Sequence, residues 1–231
     1  MFTKIVSLGN MADSSIWSAQ YFSLSQVKTI SNYFPLVSIR EIVKERKETV
    51  NPQEFPFTNY VYVGLENIES SVRTLNQSTM KTGDDVKSTS KLFMSGDILY
   101  GRLRPNLNKV FLVDDNIEIG ICSTEIIVLV PQERVLPEYL AEVILSDSVR
   151  QKAESLTRGA SLPRVQVDDF LDIEIPLPAI DTQKEIVEFI LYHRNKWHSY
   201  RTVVNEIPQF IQDSLFERLY SDKPLLNYIP T

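Results

Sequence analysis

Between Asp97 and Asp114 the chain carries no acidic residue, and inside that gap stand Arg102, Arg104, Asn106, Asn108 and Lys109. Arginine and lysine hold phosphates, and arginine and asparagine read base edges, so this run suits a nucleic-acid surface. On a strand Arg102 and Arg104 point to one face and Leu103 to the other, with Pro105 ending the strand and Lys109 opening the next. An ordinary solvated hairpin has the same residue types. The surrounding stretch Ser70–Lys109 adds Arg73, Lys81, Lys87 and Lys91, so seven cations face three acids (Asp84, Asp85, Asp97). A second turn, Arg158-Gly159-Ala160-Ser161-Leu162-Pro163-Arg164, brings two more cations. With a formal net charge of −6 the whole molecule repels nucleic acid, so a DNA-binding surface must be local.

Other chemistries find little support. The single cysteine, Cys122, makes no internal disulfide, and His193 and His198 lie five residues apart, off a common helical face, so no metal site is expected. Gly96, Gly101 and Arg102 come near a phosphate-loop pattern, but Arg replaces its Lys, Leu103 replaces its Ser/Thr, and Ile98-Leu99-Tyr100 is strand-like. Glu45-Arg46-Lys47 has the E-x-K spacing of some nucleases without a suitable upstream aspartate, and reads as a solvated face. No catalytic residue and no cofactor are therefore expected.

The elements that must position these residues are mixed. At 231 residues, 43% hydrophobic and 23% charged, the chain suits one or two domains with a real core. Apolar runs are broken well before about 18 residues and the N-terminus lacks a basic-then-apolar leader, so a cytoplasmic protein is expected, with no membrane span. Residues 1–34 read as an extended strap packed on the main domain. Ser38 and Glu41 have capping-box spacing for a helix to about Lys47, ended by Asn51-Pro52. Tyr60–Val63 reads as a strand, Ser70–Ser90 as a long polar loop, and Ser123–Pro131 as a buried strand. Pro137 opens a helix running to about Leu156. This predicts an α+β domain over residues 35–178.

A long helix follows, with Asp181 as its N-cap. Ile186, Ile190, His193, Trp197, Tyr200, Val204 and Ile207 are spaced alternately four and three, a coiled-coil seam over roughly three heptads. An amphipathic helix folded on its own domain is the plainer alternative, but its apolar face is usually broader. Pro208 kinks or restarts the helix, whose segment extends to residue 222 before a tail over 223–231. The seam needs a cover, and antiparallel pairing of two identical helices supplies one, so a homodimer is expected.

Together Gly96-Asp97-Ile98-Leu99, Arg102-Leu103-Arg104-Pro105, Lys109-Val110, Ser123-Thr124-Glu125, Arg158-Gly159-Ala160-Ser161, Pro163-Arg164, Asp168-Asp169-Phe170-Leu171 and Ile175-Pro176-Leu177-Pro178, through Gln183 to Ile186-Val187, resemble the specificity subunit of type I restriction–modification systems. The resemblance covers most of residues 35–190. It implies a target recognition domain for half of a bipartite double-stranded DNA sequence and a helix that spaces it from a second such domain. It also implies partners: methyltransferase subunits that bind S-adenosylmethionine and modify adenine, and in the full system an ATP-driven translocating nuclease. Members of the family carry two domains and two helices in tandem, whereas here there is one of each, so the chain is a half-subunit or half of a larger protein. The tail Lys223–Pro230 echoes Phe34–Ile39, as if a second domain began there. Two rival readings remain open. One is a fragment of a self-contained DNA methyltransferase, for which Asn51-Pro52-Gln53-Glu54-Phe55 lacks the second proline of the base-holding motif. The other is a protein–protein adaptor built on the heptad helix.

Overall fold

A computed structural model describes residues 34–76, 79–158, 161–194 and 196 of the chain. These fall into two units, one over residues 34–187 and the other beginning at residue 188. In chain order the strands are β1 (Leu36–Ser38), β2 (Val43–Glu45), β3 (Thr49–Val50), β4 (Asn59–Val63), β5 (Thr79–Thr82), β6 (Ser90–Met94) and β7 (Ile98–Gly101). They continue as β8 (Val110–Leu112), β9 (Ile119–Cys122), β10 (Ile126–Pro131), β11 (Thr157–Arg158), β12 (Arg164–Val165) and β13 (Glu174–Pro176). The helices are α1 (Pro137–Leu145), α2 (Asp147–Ser155), α3 (Val167–Leu171) and α4, over residues 180–194.

The first unit is built on the apolar run that opens β10. This strand pairs antiparallel with β2 and β7, and β8 completes a four-stranded sheet in the order β2-β10-β7-β8. Strand side chains alternate between faces, and here both faces are covered. Ile98, Tyr100, Val110, Ile127 and Leu129 join the core formed with α1, α2 and α3, while Leu99, Phe111, Ile126 and Val128 join Val63, Phe93 and Cys122 of a second sheet. That burial on both sides is why β10 reads as a continuous apolar run instead of an alternating one. The second sheet has the order β3-β6-β9-β4-β5, with β4 and β9 parallel and its other pairs antiparallel. Gly96 takes φ 82 in the turn between β6 and β7, a left-handed conformation that suits glycine.

The mixed sheet-and-helix class matches the α+β expectation, but several local readings change. The capping box at Ser38 forms, with Ser38 N donating to Glu41 Oε1 at 3.0 Å. It starts only a 3-10 turn over Ile39–Glu41, because Val43–Glu45 pairs with β10 instead of continuing helically. The helix expected from Pro137 to about Leu156 breaks at Ser146, whose extended backbone (ψ 150) and hydroxyl cap α2 by accepting from Val149 N at 3.4 Å. The polar stretch 70–90 contains β5 and a 3-10 turn over Gly83–Asp85. Gly83 is required there, since a Cβ would collide with the Pro52 and Phe55 carbonyls. Finally, β7 ends at Gly101, and Arg104 adopts φ 51, so Arg102 and Arg104 do not share a strand face. The strap proposed for residues 1–34 lies, apart from Phe34, outside the described residues.

Helix α4 begins at Ile180, so Asp181, expected as its N-cap, lies inside the first turn, where its carboxylate accepts from Lys184 Nζ at 3.3 Å, and Ile186 and Val187 pack against the core of the first unit. In the second unit the helix presents Phe189 and Tyr192 at 59% and 63% exposure, with His193 against both rings. The seam positions Trp197, Tyr200, Val204 and Ile207, with the Pro208 kink and the tail, lie outside the described residues.

Candidate nucleic-acid interface

Four segments far apart in sequence meet at the turn 102–109. Arg102 N donates to the Glu125 carbonyl at 2.9 Å, and Val165 N donates to the Arg102 carbonyl at 3.1 Å. Leu103 forms a β-bridge with Arg164, and Arg104 N donates to the Pro163 carbonyl at 2.8 Å. On the far side of the turn Ser70 bridges Lys109, and Ser71 N donates to the Asn108 carbonyl at 3.0 Å. The Arg-Leu-Arg-Pro run, the Ser-Thr-Glu run and the Pro163-Arg164 pair, scattered along the chain, therefore meet at one place.

Two devices hold the turn. Arg104 and Asn108 both take left-handed backbone, at φ 51 and 47, and flank the 3-10 turn Pro105–Leu107. Asparagine tolerates that conformation well, while for arginine it is uncommon and is imposed by the surrounding hydrogen bonds. Asn108 is 3% exposed and its Nδ2 donates to the Leu145 carbonyl at 2.6 Å, at the C-terminus of α1. Lys109 Nζ donates to the carbonyls of Leu65 and Ile68 at 2.6 and 2.7 Å. Both residues were expected to face nucleic acid, and both are engaged as braces.

The same sorting applies to the other cations. Arg73 Nη1 sits 3.0 Å from Glu142 and donates to the Glu138 carbonyl at 3.3 Å, tying its loop to α1. Lys91 pairs with Glu45 at 3.4 Å, with 13% of each side chain exposed. Lys81 lies 3.9 Å above the Tyr62 ring, and Lys87 reaches Asp84. These last three belong to the five-stranded sheet and its connections, not to the converged turn. Arg158 pairs with Asp169 at 2.9 Å but is 70% exposed along its side chain. Arg164 grips Glu125 through Nε, 3.0 Å from each carboxylate oxygen, and through Nη2 at 2.8 Å from Oε1.

What remains outward is a small set. Arg104 and Asn106 are exposed, and the Arg104 guanidinium has no partner among the described residues. Arg102 is half-buried, with Nη2 donating to Gln166 Oε1 at 3.3 Å and a buried Nε left without a partner. The Arg164 hydrogen bonds, with Arg102 and Lys91 nearby, hold the Glu125 carboxyl below the usual carboxylate range against the opposing effect of burial. Glu125 is thus an anion that orients Arg164 at a cationic edge, while the Arg104 guanidinium has no partner among the described residues. Glu125 stood in the motif by type, whereas Gln166 gave no signal in sequence, since its role depends on the β12 hairpin lying beside Arg102.

Elsewhere, burial pushes the Cys122 thiol up to about 12, which keeps it protonated at neutral pH. Among the described residues no group of three or more His, Cys, Asp or Glu is placed to hold a metal, and no helix is long and apolar enough to cross a membrane.

Residues 27–209 match the family model for the type I restriction modification DNA specificity domain. The chain is 24% identical over 169 residues to the Type I restriction enzyme HindI specificity subunit of Haemophilus influenzae, covering 72% of this chain and 36% of that subunit. It is similar to the crystal structure of the HsdS subunit from Thermoanaerobacter tengcongensis, with a TM-score of 0.64 and 25% identity, over 84% of this chain and 51% of that one. A structure described under complex assembly and conformational transition of the type I R-M system shares the fold, with a TM-score of 0.66 over 84% of this chain. The chain thus spans about a third of the curated relative's length and half of each solved one.

Proposed function

The chain belongs to the type I restriction–modification DNA specificity family, and from that premise we propose that its first unit reads one half of a double-stranded DNA target. The observation that carries this reading is the convergence of the 102–109 turn with the 158–165 turn, which leaves Arg104, Asn106 and Arg158 outward on an otherwise acidic protein. Arg104 and Arg158 contact phosphate or base, and Arg102, beneath them, offers its remaining donors. Arg73, Asn108 and Lys109 hold the turns that present these groups.

The chain does no chemistry itself. Adenine methyltransferase subunits that bind S-adenosylmethionine act on the sequence it selects, and a translocating nuclease joins them in the complete system. The recognition domain spans residues 35–178, α4 opens the spacer over 179–222, and the complex works in the cytoplasm. The exposed Phe189 and Tyr192 on α4 support burial of this helix in an assembly, because each large side chain covered is worth roughly 1.5–3 kcal/mol. A second copy covers it in antiparallel fashion, setting two identical domains in inverted orientation over a palindrome split by a fixed spacer.

The test is binding of DNA by the full chain assembled with its methyltransferase subunit, measured against salt. The expected result is a cognate sequence bound more tightly than random duplex, with log K falling linearly with log salt. Equal affinity for all sequences would overturn the reading.

A further inference from the structure

Gln183 is wholly buried, at 0% exposure, on the second turn of α4. Its carboxamide joins three pieces of backbone. Oε1 accepts from Leu136 N at 2.8 Å, and Nε2 donates to the Arg134 carbonyl at 3.1 Å and the Pro178 carbonyl at 2.9 Å. Leu136 is the residue from which α1 starts, with Pro137 supplying no N–H of its own, so Gln183 provides the acceptor at that helix start. Pro178 follows β13 and leads directly into α4. The start of α1, the exit from the sheet and the first turns of α4 are therefore held by one side chain.

An apolar residue would fill the same space, but it would leave an N–H and two carbonyls with one fewer partner in a buried place. The three bonds are also directional. One residue of slippage along an α-helix rotates it by about 100° and advances it about 1.5 Å, which would carry the carboxamide away from all three partners. Ile186 and Val187, one turn further, pack on the core and make the same demand through shape. Residues 180–187 thus have a single rotational and axial setting on the recognition domain.

We infer that Gln183 is the positioning residue that makes the spacing between the two halves of the DNA target strict, by fixing the setting at which the spacer helix starts. This rests on the reading of α4 as the spacer. Without the clasp the helix start has neighbouring settings open to it, and the two recognition domains can reach half-sites at neighbouring distances. The proposed DNA-facing surface at Arg104 is not part of the clasp, so the half-site sequences stay the same.

The experiment expresses the full chain with its methyltransferase subunit in a host lacking other adenine methylation and maps methylated adenines across the genome, where every spacer length occurs. The unaltered chain gives two half-sites at a single spacer. Gln183→Met keeps the volume and removes the hydrogen bonds, and a cooperative melt of the purified complex checks its folding. The expected result is the same half-sites methylated also at spacers a base pair shorter and longer. Leu136→Pro removes the N–H from which Gln183 accepts, at a backbone φ of −72 that proline can adopt, together with a leucine side chain packed on the core; with Leu136→Ala as the control for that side chain, it should relax the spacer likewise should Gln183→Met fail to fold. A folded variant that keeps the single spacer overturns the inference and leaves the DNA-recognition reading standing. An unaltered chain that yields no bipartite methylation overturns both.

Discussion

Arg104 carries the sharpest residue-level expectation, because it is exposed, unpartnered among the described residues, and held in left-handed backbone by its neighbours. If it contacts a phosphate, Arg104→Ala should weaken all sequences alike and reduce the salt slope by about 0.9. If it contacts a base, the variant should cost about 1–3 kcal/mol at one position of the target and relax preference there. An unchanged affinity and slope would remove Arg104 from the interface. Glu125 gives a prediction in pH. Its folded pKa is depressed by Arg164, so the pair's contribution is full above the unfolded value of about 4.3 and is lost as pH falls toward the folded value. The stability difference between the unaltered protein and Glu125→Gln, read by denaturant melts, should be constant from neutral pH to about 6 and shrink below about 5. At this scale the sequence supplied residue types and the structure their employment. Composition marks Lys109 and Arg104 equally as cations, and only the fold shows one tied to two carbonyls and the other without a side-chain partner among the described residues.

Among the elements, the join between β2 and the β6–β7 turn rests on Arg46 and Asp97. Arg46 Nε and Nη2 donate to the Asp97 carboxylate at 2.7 and 3.1 Å, and the same carboxylate accepts from Met94 N at 2.8 Å. Asp97 is 2% exposed along its side chain and Arg46 15%, so Arg46 does not lie on the solvated face expected for Glu45-Arg46-Lys47, and removing the acid strands a nearly buried guanidinium. Asp97→Ala should cost about 3–5 kcal/mol, seen as a lowered denaturant midpoint. A loss below about 1 kcal/mol would show that the pair behaves as a surface contact. Strand β10 was legible because burial on both faces writes itself as an unbroken apolar run. The stretch after Ser38 was not, since a capping box promises only a first turn and the pairing of Val43–Glu45 with β10 is a long-range fact. The break at Ser146 was equally hidden. A serine can sit inside a helix or cap the next one, and the choice depends on packing around it.

For the molecule as a whole, the chain order of short motifs pointed to the family before any contact was visible. Their meeting at one turn explains why motifs so distant in sequence belong together. The start of α4 was legible to within about a residue, with Asp181 inside the first turn instead of before it. Beyond it, Ile186 went partly into the domain core, while Phe189 and Tyr192, outside the heptad positions, proved to be the exposed aromatics. Pairing of two copies predicts that Ile190→Glu with Val204→Glu gives monomers in sedimentation and loses cognate binding. A monomer for the unaltered chain at roughly tens of micromolar would contradict the pairing. The central claim, selection of a DNA sequence for methylation, is tested most directly by mapping methylated adenines in the source strain with and without the gene for this chain. One bipartite motif should lose its methylation entirely when the gene is absent and regain it on complementation. An identical methylation map in both strains, with the methyltransferase subunit expressed, would contradict it.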